Sequence, residues 1–125
     1  MALYQTASVV WKVAKDSTLA QLLTSVSPSS TDSANLEEHT SQVVKVADSV
    51  TDQVISLGGI AAVKALLIVS DRKVTVKLDG EAVTIGHTDA AGGFLLLCPA
   101  NDIAAILASN ASGDEALIDV YMVGA

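Results

Sequence analysis

Apolar and polar residues alternate one for one through Lys73–Leu78. Val74, Val76 and Leu78 fall on one side and Lys73, Thr75 and Lys77 on the other, because successive side chains of a strand point to opposite faces. That is a half-buried strand with one wet face. Asp79-Gly80 follows, and since glycine reaches positive φ at little steric cost, the dipeptide predicts a hairpin turn into a second alternating run around Val83 and Ile85. The centre of the chain therefore predicts an antiparallel β-meander. Ahead of it, Ala62–Val69 is almost continuously apolar, the pattern of a strand covered on both faces. Its β-branched end and the Ser70-Asp71-Arg72 turn decide for strand over helix.

The same period recurs on both sides. Thr6–Ala14 alternates, with Val9, Trp11 and Val13 on one face and Ser8, Val10 and Lys12 on the other, which predicts a strand anchored by Trp11. Leu19, Leu22, Leu23 and Val26 then fall at helical spacing behind Asp16 or Ser17, either able to cap exposed N–H groups, so one short helix is expected near the N-terminus. Residues 27–41 are rich in Ser, Thr, Asp and Glu and predict an exposed polar loop or arm. Gln42–Ala47 and Gln53–Leu57 predict two strands, separated by Asp48–Asp52, whose side chains favour a turn. Gly58-Gly59 breaks the chain. Phe94–Cys98 and Asp102–Ser109 supply two further strands, although the string IAAILA also suits a helix. Ala116–Val123 closes the chain, with Ile118, Val120 and Met122 on one face. Short strands with turn signals at ~8–12-residue spacing indicate an all-β protein. The expected fold is a jelly-roll or Greek-key-like antiparallel β-sandwich of about eight strands, a single domain over residues 1–125.

Composition narrows the core and the partners. Half the 125 residues are hydrophobic but only 3 % are aromatic, so Val, Leu, Ile and Ala must fill the interior. A net charge of −7 disfavours nucleic acid and anionic membrane surfaces, both of which attract basic patches. No apolar run approaches the roughly 20 residues of a membrane-spanning helix, and the N-terminus lacks the pattern of a secretory signal. Cys98 is the only cysteine, so no internal disulfide forms, and a reducing compartment is the expected place of synthesis.

Candidate chemistry is sparse. His39 and His87 sit in no metal-ligand spacing, and no Gly-x-Ser-x-Gly elbow accompanies Ile85-Gly86-His87-Thr88-Asp89. Asp48, Asp52 and Asp71 occupy turns but form no calcium loop, and Glu37-Glu38 and Asp114-Glu115 are paired carboxylates in polar segments. Gly58-Gly59 and Gly92-Gly93 lack the context of a phosphate loop. No catalytic residue, cofactor or metal is expected, and the chain is expected not to be an enzyme. Arg72, Lys73 and Lys77 form the one local basic cluster; with Trp11 they are the candidate partner-binding residues.

The run from Thr51 to Ala125 resembles a β-sandwich module of small virion structural proteins in tailed bacteriophages. The likeness rests on TDQVISLGGIAAVKALLIVSDRKVTVKLDG, on the Gly92-Gly93 turn into an apolar strand, and on a final turn built by Asn110, Ser112, Gly113, Asp114 and Ala116. It covers about the C-terminal three-fifths of the chain and does not reach the N-terminal 40 residues. The resemblance implies a non-enzymatic subunit on the exterior of a phage particle, a capsid decoration or cement protein. Such a protein binds the major capsid protein lattice, or other virion subunits, as a homo-oligomer. A tail, connector or baseplate component is the alternative of the same fold. A carbohydrate-binding sandwich is the reading of another class, weakened because Trp11, Tyr4 and Tyr121 are the only Trp and Tyr residues on which sugars stack.

Overall fold

Two-residue periodicity governs every element of the fold. The computed structural model describes residues 5–8, 11–14, 22–26, 29–32, 38–97 and 101–125, and in them every regular element is a strand. Near the N-terminus β1 (Gln5–Ser8) pairs with β4 (Ser29–Asp32), and β2 (Trp11–Ala14) with β3 (Leu22–Val26), all antiparallel. They are two separate two-stranded sheets, with Ser8 opposite Ser29 in one and Trp11 opposite Val26 in the other.

The remaining eight strands build the body. The first sheet has the order β10 (Gly93–Leu97), β7 (Val63–Ser70), β12 (Ala116–Gly124), β5 (Glu38–Val46). The second has the order β6 (Gln53–Val54), β11 (Ile106–Ser109), β8 (Val74–Leu78), β9 (Glu81–Ile85). All neighbours run antiparallel, and the pairs are nested: β5 with β12, β6 with β11, β7 with β10, β8 with β9. A double ribbon folded over in this way is a jelly roll, so the expected sandwich of about eight strands is present.

Its core is aliphatic, as the composition requires. Val46, Leu66, Ile68, Ile118, Val120 and Met122 from the first sheet meet Val74, Val76, Leu78, Ile85, Ile106 and Ala108 from the second. The face that Ile118, Val120 and Met122 were expected to share is the buried one. At the β8–β9 turn Asp79 and Gly80 have φ of 51° and 90°, the pair of positive values that a tight two-residue hairpin demands. The Asp79 carboxylate also accepts the Ala104 and Ala105 amides at 3.0 and 2.9 Å.

Four expectations are corrected. β7 and β8 lie in different sheets, so the centre is a crossover followed by a hairpin, not a meander. The cause is local closure: the buried Ser70 hydroxyl donates to the Arg72 carbonyl at 2.6 Å and accepts the Arg72 amide at 3.2 Å, turning the chain out of the first sheet. The short helix is replaced by strand over Leu22–Val26, where a pairing partner and the β-branched Thr24 and Val26 prevail over leucine spacing; Leu19 lies outside the described residues. Residues 27–41 are not loop throughout, since Ser29–Asp32 pairs with β1 and β5 begins at Glu38. Asp102–Ser109 is strand only from Ile106, with Ile103 bridging to Val63. Cys98 lies outside the described residues.

Candidate interaction surface

The two sheets differ in what they turn outward. On the second sheet the outward positions carry Thr75, Lys77, Thr84 and Ser109 together with Ala82, Leu107 and the exposed Val54, a mixed surface. On the first sheet the outward positions are mostly apolar on β10, β7 and β12, whereas β5 turns out His39, Ser41 and Lys45 beside Val43. One row runs straight across it: Phe94 opposite Val69, Val69 opposite Asp119, Asp119 opposite Val43. The next row carries Leu96, Leu67, Tyr121 and Ser41. Phe94 is 61 % exposed, Val43 66 %, Tyr121 46 %, Leu117 41 % and Val69 36 %. Scattered apolar residues on a surface are ordinary, but a contiguous patch ordered by strand register marks a contact site.

Sequence periodicity missed these residues as a site, yet it contained their signal. Leu66-Leu67-Ile68-Val69, Phe94–Leu97 and Val120–Val123 are apolar at consecutive positions, and in a strand consecutive positions lie on opposite faces. The expectation that the strand at Ala62–Val69 is covered on both faces is half met. Its inner face is buried by the second sheet, whereas Leu67 is half-buried and Val69 exposed.

The basic cluster is divided by its own neighbours. Arg72 Nη2 lies 3.1 Å from Asp114 Oδ2, and Lys77 Nζ lies 3.1 Å from Asp52 Oδ1. Lys73 borders a shallow cleft of about 190 Å³ with Thr75, Asp89 and Ser109. Ligand pockets occupy about 300–1,000 Å³, so this cleft is too small to enclose one. Trp11 stands in β2 opposite Val26. Two of the turn aspartates hold a backbone amide: Asp48 takes that of Gly113 at 2.9 Å, Asp71 that of Leu117 at 2.8 Å. Among the described residues no three His, Cys, Asp or Glu side chains gather as a metal site.

Fold and surface together define an all-β jelly roll whose first sheet carries an exposed apolar row from Phe94 to Val43, interrupted by Asp119. The chain matches no family model, no curated protein and no solved structure.

Proposed function

We propose that this chain is a non-enzymatic structural subunit of a tailed-phage particle, a decoration or cement protein that binds the outer lattice of the major capsid protein. The observation that carries this reading is the open outer face of the first sheet, where the row from Phe94 to Val43 offers exposed apolar area. A protein that coats other subunits needs a broad face, not a cleft. Its individual contacts can be modest, because repetition by the symmetry of a lattice multiplies them. The resemblance of Thr51–Ala125 to small virion proteins supplies the particle.

Imaging of purified particles with the chain located in the density tests the reading. A copy number that follows the capsid lattice supports decoration. One that follows the tail symmetry moves the chain to the tail, and absence from the particle overturns the proposal.

A further inference from the structure

We propose that the outer edge of β5 pairs with the β5 edge of a second copy of this chain, joining two four-stranded sheets edge to edge. Among the described strands only β12 pairs with β5, along all nine of its residues and without a bulge. The other edge strands are shorter, with five residues in β10, five in β9 and two in β6. Proteins blunt exposed edges with short strands, prolines, bulges or charges, since a row of unpaired main-chain groups invites another strand. β5 is long and straight, holds no proline, and keeps its formal charges, Glu38 and Lys45, at or beside its ends. Such an edge is suited to being paired.

The ladder fixes which groups face outward. Leu117 donates its amide to Asp71 Oδ1 at 2.8 Å and its carbonyl accepts the Asp71 amide at 3.2 Å, so its main chain is turned away from β5. Lys45 lies opposite Leu117 and therefore points its own N–H and C=O away from β12. On that side its carbonyl accepts the side-chain amide of Gln53 at 3.2 Å. This direction alternates from one residue of an antiparallel strand to the next, so Val43, Ser41 and His39 turn their N–H and C=O groups to the same edge. No described residue bonds those groups, and all three residues are exposed.

The occupant is a second copy because the open run complements itself. Gln53 closes the edge at Lys45, which leaves His39–Val43 with Ser41 at its midpoint. Two such runs laid antiparallel about a two-fold axis at Ser41 set Ser41 opposite Ser41 and His39 opposite Val43, and each outward N–H meets an outward C=O. Outward side chains meet outward side chains, so the core side of one sheet continues into the core side of the other. Charge selects the same register. Sliding it by two residues toward Lys45 would set that ammonium opposite His39 and displace the Gln53 amide. His39–Val43 on each side is far fewer than the roughly 20–30 residues a side of a standard interface, so the dimer dissociates on dilution.

Sedimentation velocity of the full chain across a dilution series tests the pairing. The expected result is a reversible doubling of the 12.8 kDa mass as concentration rises. Ser41→Pro stays monomeric at every concentration and keeps the parental melting temperature, because the amide it removes has no partner in the monomer and an outer edge tolerates proline. If proline disturbs the strand, Ser41→Asp serves instead: it sets two carboxylates against each other on the axis and leaves a folded monomer. Phe94→Asp, on the far edge strand β10, dimerises as the parent does. A monomer throughout, an assembly other than a dimer, or a dimer that survives in a folded Ser41 variant overturns the proposal. So does a dimer lost in Phe94→Asp, which would move the contact to the outer face. The capsid reading does not enter these readouts, so the two stand or fall separately.

Discussion

Leu117 and Ile118 are neighbours in β12 and stand on opposite faces of the first sheet: Ile118 is buried in the aliphatic core, Leu117 exposed on the open side. Truncation of the two should therefore separate stability from assembly. Ile118→Ala removes core methyl groups and leaves a cavity, at a cost of about 2–4 kcal/mol. Leu117→Ala costs less than about 1 kcal/mol, near the level of an ordinary surface change. Urea denaturation measures both. Equal losses would mean that the outward face is buried within the monomer.

Phe94 and Val43 terminate the row that crosses all four strands of that sheet. Replacing both by Asp should keep the unfolding midpoint within the scatter expected of surface substitutions, about ±0.5 kcal/mol each. The same double variant should lose attachment to particles stripped of the native protein. Attachment is measured by sedimentation of the particles with labelled chain, and retention at parental levels would remove the apolar row from the contact.

Most of the jelly roll was legible because its strands are written in period two and its turns in Asp-Gly and Gly-Gly. Positive φ at Asp79, Gly80, Gly58 and Gly59 falls where those dipeptides stand. What was not legible was which strands pair. The choice between a meander and a crossover at Ser70–Arg72 depends on a hydroxyl closing on its own backbone, a contact that composition does not encode. Leu22–Val26 was misread because leucines three or four apart satisfy the helical period, while the partner strand that overrides it lies at Trp11–Ala14. The open face was illegible for a simpler reason: consecutive apolar residues report two apolar faces, not whether both are covered.

Lys77 illustrates how little the surface ion pairs should matter to the fold. Its ammonium lies 3.1 Å from Asp52, and both side chains are about two-fifths exposed at 39 % and 41 %. Exposed pairs of this kind contribute about 0–1 kcal/mol, since water screens the charges and two side chains must be held still. Lys77→Gln should shift the urea midpoint slightly and less so at high salt. A large loss would point to a wider network through Ser109, whose hydroxyl accepts the Asp52 amide at 2.9 Å.

Asn110 is the buried polar residue on which one end of the sandwich closes. Its side-chain amide donates to the carbonyls of Val46 and Asp114 at 2.9 and 2.7 Å, and its Oδ1 accepts the Ser112 amide at 3.0 Å. Asn110→Ala leaves these three backbone groups short of a partner, and an unsatisfied buried group costs about 1–3 kcal/mol. A loss of about 2–4 kcal/mol is expected, because water can reach part of this turn. Asn110→Asp keeps the shape but offers no donor, so at neutral pH it should be no better than the alanine variant. Recovery of stability by the Asp variant at neutral pH would show that the two donated bonds contribute little.

Gly92 stands where β10 begins against the end of β7, and space there is set by backbone. A Cβ at this position would lie 1.6 Å from the Ser70 carbonyl oxygen and 2.7 Å from the Asp71 carbonyl carbon. Neither atom can swing aside as a side chain would, because Ser70 is held in the ladder opposite Gly93 and Ile118. Gly92→Ala must therefore pull β10 from β7, at about 3 kcal/mol or more, and lower Tm by on the order of 10 °C. Gly113 provides the contrast. Its φ is +91° but nothing lies within 4 Å of a Cβ there, so Gly113→Ala pays only backbone strain of about 1–2 kcal/mol. Thermal unfolding of the two variants side by side checks the order. A Gly92→Ala chain as stable as Gly113→Ala would mean that β10 yields without loss, and Phe94 would then lose its fixed place in the apolar row.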